Sequence, residues 1–414
     1  MSELDVKRIR EDFPMLDGTK TMQGKPLVWL DNASTTFKPR CVLDAVSRYY
    51  LNETSNSHRG DYDLCYQMDV EVLNARKAIA SFINADPSEV VFTSGATNSL
   101  NLVAYGYAMK HLGPGDEILL TEAEHASNVL PWYKVKEATG CEVRFIPLEE
   151  DGRLSLQNLC KALTKNTKLV AIAEISNVLG YLAPIKEIAA ACHKVGAVLV
   201  VDGAQSVPHR KIDVKELDCD FLAFSGHKML GPTGVGVLYG KYKLLCETDA
   251  FMTGGGMNVK FDMSGEVSYL EPPMRFEAGT INLEGILGLH AAVDYLSALG
   301  MEAIEKRERQ LKEYAVKKLK ETGAVTIYNE NSEAGIVAFN VDGVFAQDAA
   351  TYFNSKGIAV RSGQHCAKIL NGFLKTIATI RASFYFYTTE EEIDALAEAC
   401  KTCKGEYLNA YFNV

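Results

Sequence analysis

The strongest constraint on this chain is a repeated alternation of uninterrupted apolar runs of strand length with stretches of helical pattern. The runs are EVVFT at 89–93, EILL at 117–120, EVRFI at 142–146, LVAIA at 169–173, AVLVV at 197–201 and FLAF at 221–224. One of the helical stretches between them is IKEIAAACHK at 185–194. A strand with one face in water alternates apolar and polar residues, whereas a strand covered on both faces is apolar throughout. Such alternation folds into βαβ units around a mostly parallel sheet. The expected class is therefore α/β, with ligands beyond the carboxyl ends of the strands.

After about Ala291 the pattern changes. Two helical stretches near 292–322 precede strand-like IVAFNV at 336–341, a helix near 346–356, strand-like residues at 357–360 and 379–382, and a charged amphipathic helix at 389–407. This predicts a smaller α+β domain at 296–414 after a large domain at 21–295. Residues 1–20 are expected to form a helical segment packed on the body.

The 414 residues are 47% hydrophobic and 23% charged, with a net charge of −10. That supports a large core, and the acidic balance argues against nucleic acid or an anionic membrane as the main partner. No stretch approaches the roughly 18 uninterrupted apolar residues of a membrane span. The N-terminal MSELDVKRIREDF lacks an apolar signal region, so a cytoplasmic location is expected. Ten cysteines in such a chain read as reduced thiols. Cys400–Cys403 is the only C-x-x-C, and without a second pair it cannot close a zinc site, so no metal is expected.

Four segments carry candidate chemistry. In FLAFSGHKMLGPTGVG at 221–236, a strand runs through Ser225 and His227 to Lys228 and a glycine-rich loop. A lysine amine at a strand end can form a Schiff base with an aldehyde, although a surface lysine on a loop fits the same pattern. In AVLVVDGAQ at 197–205, Asp202 ends an apolar strand, where a carboxylate is costly unless a cation or donor meets it. Asp202 could keep a pyridine nitrogen protonated, with Gln205 reaching a ring oxygen; a helix N-cap is the plainer alternative. VVFTSGATN at 90–98 reads as strand, glycine turn and helix start, with Thr97 adding a hydroxyl, a pattern that suits phosphate. His125, after EILL, could stack on a flat ring or serve as a structural hydrogen-bonder. Together these supply a phosphate cradle, a stacking ring, a pyridinium partner and a Schiff-base lysine. That is the set pyridoxal 5'-phosphate (PLP) requires.

A fifth segment, IAVRSGQHCAK at 358–368, places Cys366 after Ser-Gly, beside His365 and near Arg361. Positive charge near a thiol favours the nucleophilic thiolate, so Cys366 reads as a reactive cysteine. Arg381 in TIRAS at 379–383 lies in an apolar strand and needs a carboxylate, from a substrate or from the protein.

With these segments in view, the sequence resembles a class II, SufS-type cysteine desulfurase of the class V aminotransferase group within PLP fold type I. The resemblance rests on LDNAST (30–35), NSHRG (56–60), EHASNVLPW (124–132), SNVLG (176–180), VDGAQSVPH (201–209), FSGHKMLGPTGVGVLY (224–239), TGGG (253–256), RFEAGT (275–280), RSGQHCA (361–367) and RAS (381–383). It implies a large domain with a mostly parallel seven-stranded sheet and a small C-terminal α+β domain carrying the Cys366 loop. It further implies PLP on Lys228, ring contacts from Asp202 and Gln205, His125 stacked on the ring, and the phosphate held by Thr97, Ser225 and His227. Gly279 and Thr280 would reach across from the other subunit of a homodimer. His58, Asn177, Arg361 and Arg381 would surround L-cysteine, with Arg381 on its carboxylate. Cys366 would take the substrate sulfur as a persulfide and pass it to a SufE-type or SufU-type acceptor for iron–sulfur cluster assembly.

Some positions depart from the family pattern. Gln364 stands where relatives often have histidine, Lys368-Ile369 where a residue and proline are usual, and Asn98 where some relatives carry glutamate. Gln347 occupies a region where relatives that donate to a zinc-bearing acceptor carry histidine. A selenocysteine lyase, a cysteine-sulfinate desulfinase or a transaminase on the same fold remains an alternative, as does a non-enzymatic sulfur or metal carrier.

Overall fold

A computed structural model describes residues 4–57 and 60–404. Its central element is a seven-stranded sheet of β1 (Val90–Thr93), β2 (Glu117–Thr121), β3 (Glu142–Ile146), β4 (Thr167–Ala173), β5 (Val198–Asp202), β6 (Phe221–Ser225) and β7 (Gly236–Gly240). The spatial order is β1-β7-β6-β5-β4-β2-β3. Only β7 runs against its neighbours, pairing antiparallel with β1 and β6, and the remaining pairs are parallel. The six apolar runs are therefore strands β1 to β6.

The seventh strand begins at Gly236, the last residue of the segment read as a glycine-rich loop. Glycine is needed there because β7 passes very close to the β1 turn. A Cβ on Gly236 would fall 2.4 Å from the Gly95 Cα. This close approach brings the turn after β1 against the end of β6, where Lys228 follows.

Both faces of the sheet are covered. One packs against helices Asp63–Phe82, Ile185–Lys194 and Leu283–Leu299, through residues such as Val72, Ile188 and Leu289. The other packs against the helical run from Ala96 and the helix Leu130–Thr139, through Leu100, Val103 and Trp132.

A second sheet follows, built from β8 (Val325–Ile327), β9 (Ile336–Val341), β10 (Arg361–Gly363) and β11 (Thr379–Ser383) in the order β8-β9-β11-β10, all antiparallel. Helices Met301–Glu321, Ala346–Ser355 and Glu390–Thr402 cover it, with Leu311, Phe353 and Leu396 in its core. Thr389 caps the last helix in a reciprocal arrangement with Glu392. Residues 405–407, included in the expected helix, lie outside the described residues. Early residues also join this unit: Val28–Trp29 pairs in parallel with Ile358–Ala359, and Leu30 is buried in the same core.

The N-terminal expectation needs correction. Helix is confined to Val6–Arg10, capped by Asp5, and gives way to a single turn at Pro14–Leu16. Pro14 cannot donate an amide and drives Phe13 into an extended conformation. Gly18 then turns the chain with φ +81°. Phe13 is fully buried against Tyr295 and Tyr387, and Arg10 pairs with Glu392 at 3.0 Å.

A buried ion pair ties the large sheet to the turn that leads into Gly279 and Thr280. Arg76 donates two bonds of 2.8 Å to Glu277, and Glu277 also accepts from the Phe92 amide at 2.8 Å. Removing one partner of such a pair strands a buried charge. Glu277→Ala should therefore lower the unfolding free energy by about 3–5 kcal/mol in urea denaturation followed by tryptophan fluorescence. A loss of about 1 kcal/mol or less, typical of an exposed pair, would show that this bridge contributes little.

Candidate active site

A cavity of about 220 Å³ opens at the carboxyl ends of β1, β2, β4, β5 and β6. Thr97, His125, Asn177, Asp202, Gln205, Ser225, His227 and Lys228 line it from the side of the seven-stranded sheet. Arg361 on β10 and Arg381 on β11 line it from the second sheet. Ten of the residues singled out from sequence thus meet in one place, although Thr97 and Arg381 are 284 positions apart.

Lys228 follows β6 in a single turn, Gly226–Lys228. Burial lowers its amine to about 8; Asp202 opposes that shift, and Arg381 and Arg361 add to it. With a pKa near 8, about a tenth of the amine is neutral at pH 7, against well under a thousandth for an ordinary lysine. The structure therefore provides a usable nucleophile and base at neutral pH.

Asp202 ends β5, and its Oδ1 accepts from the Ala204 amide at 3.0 Å. Burial raises its pKa, while that amide and Lys228 lower it. A carboxylate in this position is stabilised by a cationic donor in the cavity. Gln205 donates to the Ala33 carbonyl at 2.8 Å, and its buried Oε1 has no partner.

His125 accepts from the Ser127 amide on Nδ1 at 3.1 Å, which leaves the proton on Nε2. Burial, then Lys228, Arg361 and Arg381, lower its pKa to about 4. His227 also falls to about 4, through burial and the charges of Lys228 and Lys38. Both imidazoles are neutral, so the fixed cations around the cavity are Lys228, Arg361 and Arg381. Ser225 Oγ accepts from the Ala96 amide at 2.8 Å, and Thr97 Oγ1 bonds Ser127 Oγ at 2.7 Å.

Cys366 sits on an exposed loop, with Arg361 Nη2 3.2 Å from its sulfur. His365 and Cys366 are both left-handed, at φ +50° and +58°. Two such residues cost about 1–2 kcal/mol each. Three tethers oppose that cost. Asn177 donates to the His365 carbonyl at 2.9 Å, the Ala126 amide donates to the Cys366 carbonyl at 2.7 Å, and His365 Nε2 bonds Thr379 at 2.9–3.0 Å. At about 1 kcal/mol net apiece they offset the strain, and they fix the cysteine loop to the residue after His125.

Arg381 finds a carboxylate within the chain. Its Nη2 lies 3.1 Å from Asp31 and donates to Ser34 at 2.8 Å, while Nη1 donates to the Asn177 carbonyl at 2.8 Å. Its Nε is buried without a partner. Asp31 and Ser34 belong to the LDNAST segment but had no assigned role, because neither residue type marks a site on its own. Arg361 also reaches Ser34, at 3.4 Å.

Not every candidate joins the cavity. Thr280 lines a separate space of about 290 Å³ with Asn98. Gly279 stands beside it at φ +78°, its amide on the Gly255 carbonyl at 2.8 Å. His58 lies outside the described residues. Cys400 and Cys403 are buried in the small-domain core, and burial raises both thiols. Gln364 accepts from the Ala367 amide through its carbonyl, and Lys368 begins a short helix.

Comparison with known proteins agrees with this geometry. The model of the aminotransferase class-V family matches residues 28–396. A protein of Halalkalibacterium halodurans described as a probable cysteine desulfurase is 45% identical over 410 residues, covering 99% of this chain and 100% of the relative. The apo structure of a cysteine desulfurase from Thermococcus onnurineus superposes with a TM-score of 0.91 at 35% identity, covering 99% of each chain. A structure of a C-DES variant with glycine covalently linked to its PLP cofactor superposes with a TM-score of 0.82 at 25% identity, covering 95% of this chain and 99% of that one. The fold is PLP fold type I and the cofactor is pyridoxal phosphate. The chain belongs to the class-V aminotransferase family, among relatives described as cysteine desulfurases.

The residues present fit that cofactor. The buried carboxyl of Asp202 can take a ring N–H, and the cationic cavity suits a phosphate. Apo protein should take up PLP faster as the pH rises, with a midpoint near 8, because only the neutral Lys228 amine attacks an aldehyde. Stopped-flow absorbance checks this, and a midpoint near that of a free lysine would contradict it.

Proposed function

We propose that the chain is a PLP-dependent cysteine desulfurase, which moves sulfur from L-cysteine to Cys366 and passes it to an acceptor protein for iron–sulfur cluster assembly. The observation that carries this reading is the meeting of two reactive groups across the domain junction. Lys228 lines the cavity, and Arg361, which lines the same cavity, holds the Cys366 sulfur at 3.2 Å. A transaminase has no use for the second of these.

In this reading Asp202 would hold the ring nitrogen, Gln205 would meet the ring oxygen and His125 would meet the ring face. Thr97, Ser225 and His227 hold the phosphate. Bound PLP supplies an electron sink at the substrate's Cα. Lys228 would carry the cofactor, and its neutral Nζ would take the substrate's α-proton. Arg381 receives the substrate carboxylate, its unpartnered Nε adding a donor, while Asn177, Arg361 and His58 enclose the rest. Cys366 Sγ attacks the substrate sulfur. The cysteine C–S bond breaks, an S–S bond forms on Cys366, and a thiol proton ends on the methyl of alanine, so the exchange is redox-neutral.

The family relation also suggests the quaternary state. We infer a homodimer in which Gly279 and Thr280 complete the partner's phosphate site, since in their own chain they lie beside a separate cavity. Exposed Tyr50, Leu51, Tyr62 and Tyr66 supply apolar surface for such an interface. The acceptor would be of SufE or SufU type and the location cytoplasmic; no helix among the described residues is long and apolar enough to cross a membrane. We divide the chain into a segment at 1–20, a large domain at 21–295 and a small domain at 296–414. Two core clusters support that division in outline, with residues 28–30 packing on the small domain and Met301, Ile304 and Tyr385–Tyr387 packing on the large one.

Two variants separate the roles. Lys228→Ala should lose the yellow absorption of bound PLP, and unchanged colour would remove Lys228 from its role. Cys366→Ala should stay yellow but lose sulfur transfer, and the wild-type Cys366 peptide should gain one sulfur in mass spectra after L-cysteine is added. Full turnover by Cys366→Ala would favour a lyase.

A further inference from the structure

The peptide that joins His227 to Lys228 is held by a cation that has no counterion. Lys38 Nζ donates to the His227 carbonyl at 2.9 Å and to the Thr36 carbonyl at 2.6 Å. The same His227 oxygen receives Thr35 Oγ1 at 3.0 Å, the Thr36 amide at 3.1 Å and Thr36 Oγ1 at 3.3 Å. A carbonyl oxygen has two lone pairs, so four converging donors saturate it. Thr36 Oγ1 also accepts from the Leu230 amide at 3.0 Å, which ties the far side of the same turn.

Such a cluster fixes the backbone that carries Lys228, but it does not require a charge. A neutral donor would satisfy the carbonyl. Lys38 is desolvated, and burial lowers its amine to about 8. No carboxylate forms an ion pair with it among the described residues. A partly buried ammonium without a counterion is unfavourable unless an anion compensates it. Its charge is felt at His227, which lines the cavity. The anion required by the family's cofactor is the phosphate at that end of the site.

We propose that Lys38 is a positioning residue for the cofactor. Through the His227 carbonyl it fixes the peptide bearing Lys228, and it contributes positive potential at the phosphate end. This rests on Lys228 carrying PLP.

Holoenzyme variants test it. Lys38→Met should weaken PLP retention about tenfold, the worth of one charged hydrogen bond, and should reduce the visible circular dichroism per bound PLP, which reports ring orientation. Lys38→Arg keeps the charge and should recover most of both. Thr35→Val removes another donor to the same oxygen, so the double variant should lose less than the two single losses combined. A purely structural tie would lower thermal stability while leaving dichroism per bound PLP unchanged. Wild-type retention and dichroism in Lys38→Met, or strictly additive losses, would overturn the proposal. If Lys38→Met does not fold, Thr35→Val decides: wild-type retention and dichroism there overturn it, and a loss of both supports it. The underlying reading fails separately, if Lys228→Ala stays yellow. A colourless Lys228→Ala beside an unaltered Lys38→Met defeats this proposal alone.

Discussion

The site depends on an imbalance of buried charge at the carboxyl edge of the large sheet. Lys228, Arg361 and Arg381 face the cavity as cations, while carboxylates are few: Asp202 lines it and Asp31 is spent on Arg381. The carboxyl of Glu124 lies behind the wall, where burial raises it to about 8 and leaves it largely protonated at pH 7. His125 and His227 are neutral. In a site of low dielectric, such an excess of positive charge is stable only beside anions. A phosphate and a substrate carboxylate are anions of the required kind. Burial, with a smaller contribution from the two arginines, keeps the Lys228 amine reactive.

The small domain completes that arrangement. It contributes both arginines from adjacent antiparallel strands, with Arg361 directly opposite Arg381. Placing two guanidinium groups side by side is unfavourable, and Asp31 and Ser34 of the large domain's entry segment relieve it. The Cys366 loop bears its own strain in two consecutive left-handed residues. It is held by Asn177 and Ala126, both of the large domain. Domain apposition therefore sets the position of the thiol and the arginines together, and a shift of one displaces the others.

Much of this was legible in the sequence, for identifiable reasons. Strands buried on both faces are apolar throughout, and β6 and IVAFNV at 336–341 fall where their patterns place them. Asp202, Lys228 and Arg381 stand out because a charge at the end of an apolar run needs an explanation. What was hidden depends on contacts between distant segments. β7 is absent from the apolar runs because it is short and opens on Gly236, which serves the close approach to Gly95, a partner about 140 positions away. The Arg381–Asp31 pair spans 350 positions, and no local pattern could reveal it. The N-terminal helix was overdrawn: it stops at Arg10, and Pro14 and Gly18 prevent its continuation to residue 20. Lys38 looks like any lysine before a proline until the fold brings the His227 carbonyl to it.

The measurement closest to the central claim is borohydride reduction of the PLP-loaded protein, followed by peptide mapping. The charge arrangement described above predicts that the pyridoxyl group is recovered on Lys228 alone. Recovery on any other lysine, or on none, would contradict it.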